Sequence, residues 1–206
     1  MTKVLIGDFI AAWSGFPFAG LERNLWKIPS AANKIIAEYA DQLDANYVLD
    51  GNVAVHKSSK IEENVTLKGN MIIGPNCLVA SGSYLRGGVF LEGNVIIGPN
   101  CEVKTTFICS GSKIAHLSFV GDSIVGSNVN IEAGAIVANY RNELKDKSIR
   151  IERNNRIVET GVSKFGAIIG DGVRIGANAV ISPGTVLNPG EIIRRLQLVD
   201  QHPGNI

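Results

Sequence analysis

Stepping by six residues from Leu49 gives Val55, Ile61, Leu67, Ile73, Val79, Leu85, Leu91, Ile97 and Val103, an unbroken aliphatic file. A period of six is neither the roughly 3.6 of a helix nor the roughly 2 of an open strand, and it matches the hexapeptide repeat of a parallel β-helix. In such a solenoid each hexapeptide supplies a short strand and a tight turn, and three of them close a triangular coil of about 18 residues. The position four later holds, among others, Val53, Val65, Met71, Cys77, Ser83, Val89, Val95 and Cys101, mostly small or apolar side chains that suit a narrow interior. Between them lie turn formers such as Gly74-Pro75-Asn76 and Gly98-Pro99-Asn100, where Gly and Asn tolerate left-handed backbone.

The 206 residues, 45% of them hydrophobic, are enough for such a solenoid with an appendage. Net charge is +1 and no basic stripe is interleaved with aromatics, which argues against nucleic acid as a partner. Cys77, Cys101 and Cys109 are odd in number, and the first two fall on inward positions. They read as core side chains of a protein in a reducing compartment, hence a cytoplasmic location. The stretch from Met1 to Trp13 has an acidic Asp8 in its apolar run and no small-residue cleavage pattern, so neither a signal peptide nor a membrane span is expected.

In chain order, residues 1–46 lack the six-residue period and form an expected helical cap. Ser30 is placed to N-cap a helix over Ala31–Leu43, with Ile35, Ile36, Tyr39 and Leu43 on one face, which would close the open first coil. Upstream, Trp13, Phe16, Phe18, Leu21 and Trp26 are too aromatic for a free linker and should pack on the prism or on a partner. The β-helix is expected over 47–190. Its register slips by one before Ile108 and again before Val125, which predicts bent or bulged corners. An insertion at 141–165 interrupts it: a charged loop from Arg141 to Lys147, then Ser148–Glu152 and Arg156–Thr160, joined by Arg153-Asn154-Asn155, as a hairpin standing off the prism. The file resumes at Ile169, Ile175, Ile181 and Leu187, with Glu191–Val199 as the cap of a terminal segment 191–206 that ends in fraying Asn205 and Ile206.

Arg86 and Lys104 are separated by one coil, so their side chains should emerge from the same face about 4.8 Å apart. Two stacked cations suit a phosphate, although on their own they also read as solvated surface charges. His116 follows, within Gly111-Ser112-Lys113-Ile114-Ala115-His116-Leu117-Ser118-Phe119-Val120-Gly121-Asp122. This run, with Asn128-Val129-Asn130-Ile131-Glu132-Ala133-Gly134 and Ala138-Asn139-Tyr140, resembles the acetyltransferase half of the bifunctional N-acetylglucosamine-1-phosphate uridyltransferase/glucosamine-1-phosphate acetyltransferase family, over roughly residues 80–190.

The resemblance implies an all-β, left-handed parallel β-helix of the LpxA-like trimeric kind. It also implies acetyl-CoA as donor, an amino-sugar phosphate as acceptor, and no metal. Position by position it makes His116 the general base with Glu102 beside it, and Arg86 and Lys104 the cations that hold the sugar phosphate. Asn130 would contact the sugar, and Ala133, Asn139 and Tyr140 would lie near the acceptor amine and the acetyl-CoA arm. Arg174, Arg194 and Arg195 are candidates for the coenzyme A phosphates, or solvated surface charges. Phe119 departs from the family's tyrosine and removes a hydroxyl from the acceptor site. The insertion and the run Lys164-Phe165-Gly166-Ala167-Ile168-Ile169-Gly170-Asp171-Gly172 look closer to the archaeal sugar-1-phosphate nucleotidylyltransferase/acetyltransferases. No glycine-rich nucleotide loop precedes the coils, so no uridyltransferase activity is expected of this chain, and a separate nucleotidyltransferase is a possible partner.

Two other readings stay open. One is an acyltransferase for another amino sugar, nucleotide-linked or not. The other is a non-catalytic solenoid that binds a sugar nucleotide or a nucleotidyltransferase. A zinc site of the carbonic anhydrase kind needs convergent histidines, and His56, His116 and His202 are spread along the whole chain.

Overall fold

The computed structural model describes residues 4–20, 24–153 and 155–202. Leu21, Asn154, Asn205 and Ile206 lie outside the described residues. The chain winds into a left-handed parallel β-helix with three walls. Wall two is a separate seven-stranded sheet running from Lys60–Ile61 to Ile192–Ile193. Walls one and three merge into a 13-stranded sheet, because the long strands Tyr84–Leu91 and Glu102–Ile108 turn the corner between them.

The aliphatic file and its companion positions point inward. Ile73, Val79, Leu85, Leu91, Ile97, Val103, Ile108, Ile114, Val120, Val125, Ile131 and Val137 form one continuous core with Met71, Cys77, Val89 and Cys101. Ser83 is buried with them because its hydroxyl donates to the Gly98 carbonyl at 2.8 Å. The predicted slips are real corners: pairing is Arg86 to Lys104 but then Val89 to Thr106, a bulge that places Gly87 and Gly88 against Thr105. Thr105 and Asp122 take left-handed backbone where the coil is one residue short, at φ 50° and 46°.

Leu49 does not belong to the file. Tyr47–Asp50 pairs antiparallel with Val53–His56 at the end of the solenoid, and Leu49 is 61% exposed. The coil therefore starts at Val53, because the turn at Gly51 reverses the chain before any parallel rung exists to stack upon.

The N-terminal helix spans Ala32–Ala40, shorter than expected. Ser30 is not its cap: the hydroxyl donates to the Lys27 carbonyl within a 3-10 turn, and the helix continues that turn from Ala31 without a side-chain cap. Nor does the helix close the first coil. It lies along wall one, against Met71–Ile73, Tyr84–Leu91 and Glu102–Ile108.

The reason lies in the outward residues of that wall. Ala54, Ile72, Phe90, Phe107, Ile124, Ile168 and Val186 stack rung on rung and are all apolar. They are all buried, under Phe9, Ile10, Trp13, Phe18, Leu25, Trp26, Ile28 and the helix residues Ile35 and Ile36. A second core, outside the prism, thus binds residues 4–20 and 24–46 to wall one. Rings carry much of it: Trp13 meets Phe18 and Phe107 edge-on, both at 5.7 Å, and Trp26 meets Phe165 at 5.1 Å.

The insertion also lies down on the prism. Its strands are Arg150–Arg153 and Arg156–Glu159, and Ile149 and Ile151 are fully buried in the second core. Glycine at 184 makes room, since a Cβ there would fall within 2.6 Å and 2.7 Å of those two side chains. The charged loop is pinned as well. Arg141 is 2% exposed, with its guanidinium donating to both Asp200 oxygens at 2.6 and 3.1 Å and to the Pro183 carbonyl at 3.1 Å. Glu191–Val199, expected as a cap, instead carries the last rung through Ile192–Ile193 and Leu198–Val199. Beyond it the Gln201 side chain bonds both the N–H and the carbonyl of Val186, closing the edge of wall one.

Candidate active site

Arg86 and Lys104 occupy adjacent rungs of wall three in direct register, as one coil of spacing requires. Lys68 extends the column one rung further, paired with Arg86. Each of the two expected cations already has a carboxylate. Arg86 Nε donates to Glu102 at 2.6 Å, and Lys104 Nζ donates to Asp122 at 2.5 Å. The second pair is the more enclosed, with side chains 17% and 8% exposed. Asp122 also accepts from the Asn139 amide, so Lys104, Asp122 and Asn139 form one network at the corner between walls three and one.

Asp122 was not singled out from the sequence as a site residue. The signal was a spacing of 18 residues from Lys104; because the coil here is one residue short, Gly121 stands opposite Lys104 and Asp122 follows it at the corner, within reach as the counter-ion of the lysine. The left-handed backbone at Asp122 turns its carboxylate toward both partners, and its carbonyl accepts from Gly166 at 2.8 Å, which ties the end of the insertion to this corner.

Phe119 stands on wall three next to Glu102 in the ladder. Its ring and the Asn139 amide crowd the same space, since a Cβ on Gly121 would come within 2.7 Å of each. Arg86, Glu102, Lys104, Phe119, Asp122 and Asn139 therefore make one patch.

His116 and Ala133 lie apart from it, in successive turns at the corner between walls two and three, where the His116 carbonyl accepts from Gly134 at 3.0 Å. The His116 side chain is exposed and takes no hydrogen bond or ion pair from a described residue. The expected Glu102 contact to its ring is not made, because Glu102 is committed to Arg86. Asn130 and Arg174 are on wall two, in register with each other and with Lys113. One prism does not bring them to the wall-three patch. Glu132 accepts from the Ala177 amide at 2.9 Å and from Arg195 through two bonds of 2.8 and 2.9 Å, which in that order hold its carboxyl below its ordinary range and leave Arg195 engaged. Arg194 remains exposed. Tyr140 is 37% exposed, with the ammonium groups of Lys147 and Lys164 at 5.1 and 5.9 Å from its ring centre.

Burial pushes the thiols of Cys77, Cys101 and Cys109 up, so none is poised as a nucleophile. Among the described residues no group of three or more His, Cys, Asp or Glu side chains could hold a metal ion, and no helix is long and apolar enough to cross a membrane.

The GMPPB C-terminal domain family matches this chain over residues 49–150 and 82–196, which takes in the coils and the patch just described. The chain belongs to that family. It is a GlmU-like C-terminal β-helix domain with the hexapeptide transferase fold. Among its relatives, the bifunctional protein GlmU of Methanococcus maripaludis (strain C7) is 44% identical over 179 residues, covering 85% of this chain and 43% of the relative. The bifunctional sugar-1-phosphate nucleotidylyltransferase/acetyltransferase of Sulfurisphaera tokodaii is 31% identical over 184 residues, covering 88% and 45%. The GlmU-like chain thus spans less than half the length of these relatives. A solved acetyltransferase domain of PglB from Neisseria gonorrhoeae, in complex with acetyl coenzyme A, matches with 19% identity and a TM-score of 0.32 over 81% of this chain and 65% of its own.

Proposed function

We propose that this chain transfers the acetyl group of acetyl-CoA to the amine of an amino-sugar phosphate, in the cytoplasm, with His116 as general base. The observation that carries the proposal is the single wall on which Arg86 and Lys104 stand side by side, next to a corner that presents an unengaged imidazole.

The two cations, oriented by Glu102 and Asp122, hold the phosphate and so fix the amine relative to the thioester. Asn139 is held by Asp122 near the Phe119 ring, and Phe119 gives the sugar an apolar floor where a tyrosine would offer a hydroxyl. The amine attacks the thioester carbonyl. His116 takes the proton that the nitrogen sheds, the C–S bond breaks, and the imidazolium returns the proton to the departing thiolate. No acyl-enzyme is needed, which agrees with three buried thiols of raised pKa.

The protein works as a trimer in which His116 of one prism and Tyr140 of a neighbour meet at a shared seam, with Asn130, Ala133 and Arg174 of wall two serving sugar and coenzyme A across it. Two features support this arrangement. Wall one is already covered by the chain's own N-terminal segment. Wall three carries an outward column of Phe119, Ile136, Val180 and Leu198, of which Leu198 is 63% exposed.

A second acceptor class is favoured by Lys68, which is exposed and has no ion pair among the described residues. Because Arg86 and Lys104 each have a carboxylate already, a third cation in line suits the diphosphate of a nucleotide-linked amino sugar.

A panel of glucosamine 1-phosphate, free glucosamine and nucleotide-linked amino sugars, assayed for coenzyme A release, separates these readings. Thiol release is expected with a phosphorylated acceptor and is lost in His116→Ala at unchanged fold and oligomer size. Arg86→Ala should raise KM for the phosphorylated acceptor about tenfold, and for the unphosphorylated one much less. Absence of thiol release with every acceptor of the panel would favour a scaffold that docks a nucleotidyltransferase, and equal effects on both acceptors would remove the phosphate role.

A further inference from the structure

The N-terminal segment does not fill all the space it encloses. Where it crosses the corner between walls one and two, a cleft of about 450 Å³ remains between Ala12–Pro17, the end of the helix, Tyr47, and the turns at Pro75 and Glu92. That size is in the usual range for small-molecule sites, and the cleft is on the opposite side of wall one from the corner that carries Lys104 and Asp122.

Its lining is chemically one-sided. Four aromatic rings face it, from Phe16, Tyr39, Tyr47 and Phe90. Three of these residues are half-buried, and Phe90 is buried beneath them. The rings are set at angles rather than stacked flat against one another: Phe16 meets Phe90 edge-on at 5.5 Å, and Tyr39 is tilted 57° to Phe90 at 6.2 Å. The box therefore offers ring faces from several directions.

Glu92 is the charged residue of the lining, and no Lys, Arg or His is among the described residues that line it. One Glu92 oxygen accepts from the Ser110 amide at 2.7 Å, and the other has no partner among the described residues. The surroundings of Tyr47 point the same way: burial, then Tyr39 and Asp44, raise its hydroxyl above the ordinary range, so this corner resists negative charge. Ring faces carry negative electrostatic potential and attract cations. An anion here would meet a carboxylate with no compensating cation, and a neutral apolar guest would leave the free Glu92 oxygen desolvated and unpaired.

We propose that this cleft is a binding site for a small organic cation, an amine or quaternary ammonium compound, held against the rings of Phe16, Tyr39, Tyr47 and Phe90 with Glu92 as counter-ion. The site is independent of the acetyl-transfer reading, since it shares no residue with the wall-three patch.

The test is calorimetric titration of the full chain with choline and with its neutral carbon analogue 3,3-dimethylbutan-1-ol. Choline should bind saturably, with the alcohol at least about tenfold weaker. Glu92→Gln keeps an acceptor for the Ser110 amide and should weaken choline about tenfold, and Tyr47→Leu should weaken it comparably while both variants keep the wild-type far-ultraviolet spectrum. No saturable choline binding, equal binding of the alcohol, or unchanged binding in Glu92→Gln would each overturn the proposal.

Discussion

At the scale of single residues, the buried guanidinium of Arg141 shows how charge is accommodated off the main core. Burial acts to raise the Asp200 carboxyl, but the hydrogen bonds from Arg141 and the His202 amide outweigh it and hold the group below the ordinary range. A carboxyl depressed in the folded state adds stability above its unfolded pKa of about 4, and that contribution is lost as pH falls through the lower folded value. The difference in thermal midpoint between wild type and Asp200→Asn should therefore be largest above about pH 5 and shrink below about pH 3. Circular dichroism melts across that range check it, and a gap independent of pH would separate Asp200 from acid sensitivity. Backbone strain is a second residue-scale term. Asn100, Leu117, Gly134, Asn178 and Leu196 all hold positive φ at the same turn of successive coils. Leucine pays for that conformation where Asn and Gly do not. Leu196 is 79% exposed and gains nothing from packing, so Leu196→Asn should raise unfolding stability by about 1 kcal/mol in urea titrations.

At the scale of elements, the helix Ala32–Ala40 rests on the bulge of the strand Tyr84–Leu91. A Cβ on Gly88 would fall 2.6 Å from the backbone of Ala32 and Asn33, so glycine there sets how closely helix and wall approach. Gly88→Ala should destabilise by about 2 kcal/mol through overpacking, and hydrogen exchange should show faster opening of residues 32–40 than of the coils. Uniform exchange would mean that the helix and wall one open together. The same contact, between backbone atoms and a glycine, is one that the sequence of the helix does not announce. Its apolar face was legible in Ile35 and Ile36, but an amphipathic face states only that something covers it, not which surface does.

At the scale of the whole molecule, the three walls differ in chemistry. Wall one is apolar outside as well as inside, wall two is mixed, and wall three carries the paired charges. Removing residues 1–46 should uncover Ile72, Phe90, Phe107, Ile124, Ile168 and Val186, and give a protein that binds a hydrophobic dye and aggregates while keeping β structure. A truncated chain that stays monodisperse and dye-free would show that wall one needs no cover. The sequence carries this too, since one outward position in each coil is apolar from Ile72 onward, but an apolar outward position does not say what covers it.

The repeat in the sequence was sufficient for the prism, because a period of six with inward aliphatics has one way to bury them, and it placed Arg86 beside Lys104 because stacked coils turn sequence spacing into distance. Partnership was decided only by the folded chain. Glu102 goes to Arg86 rather than to His116, Asp122 joins Lys104 to Asn139, and Arg141 finds Asp200 across the insertion. Those choices depend on corner geometry and on how the insertion lies down, and neither obeys the six-residue period that made the rest legible.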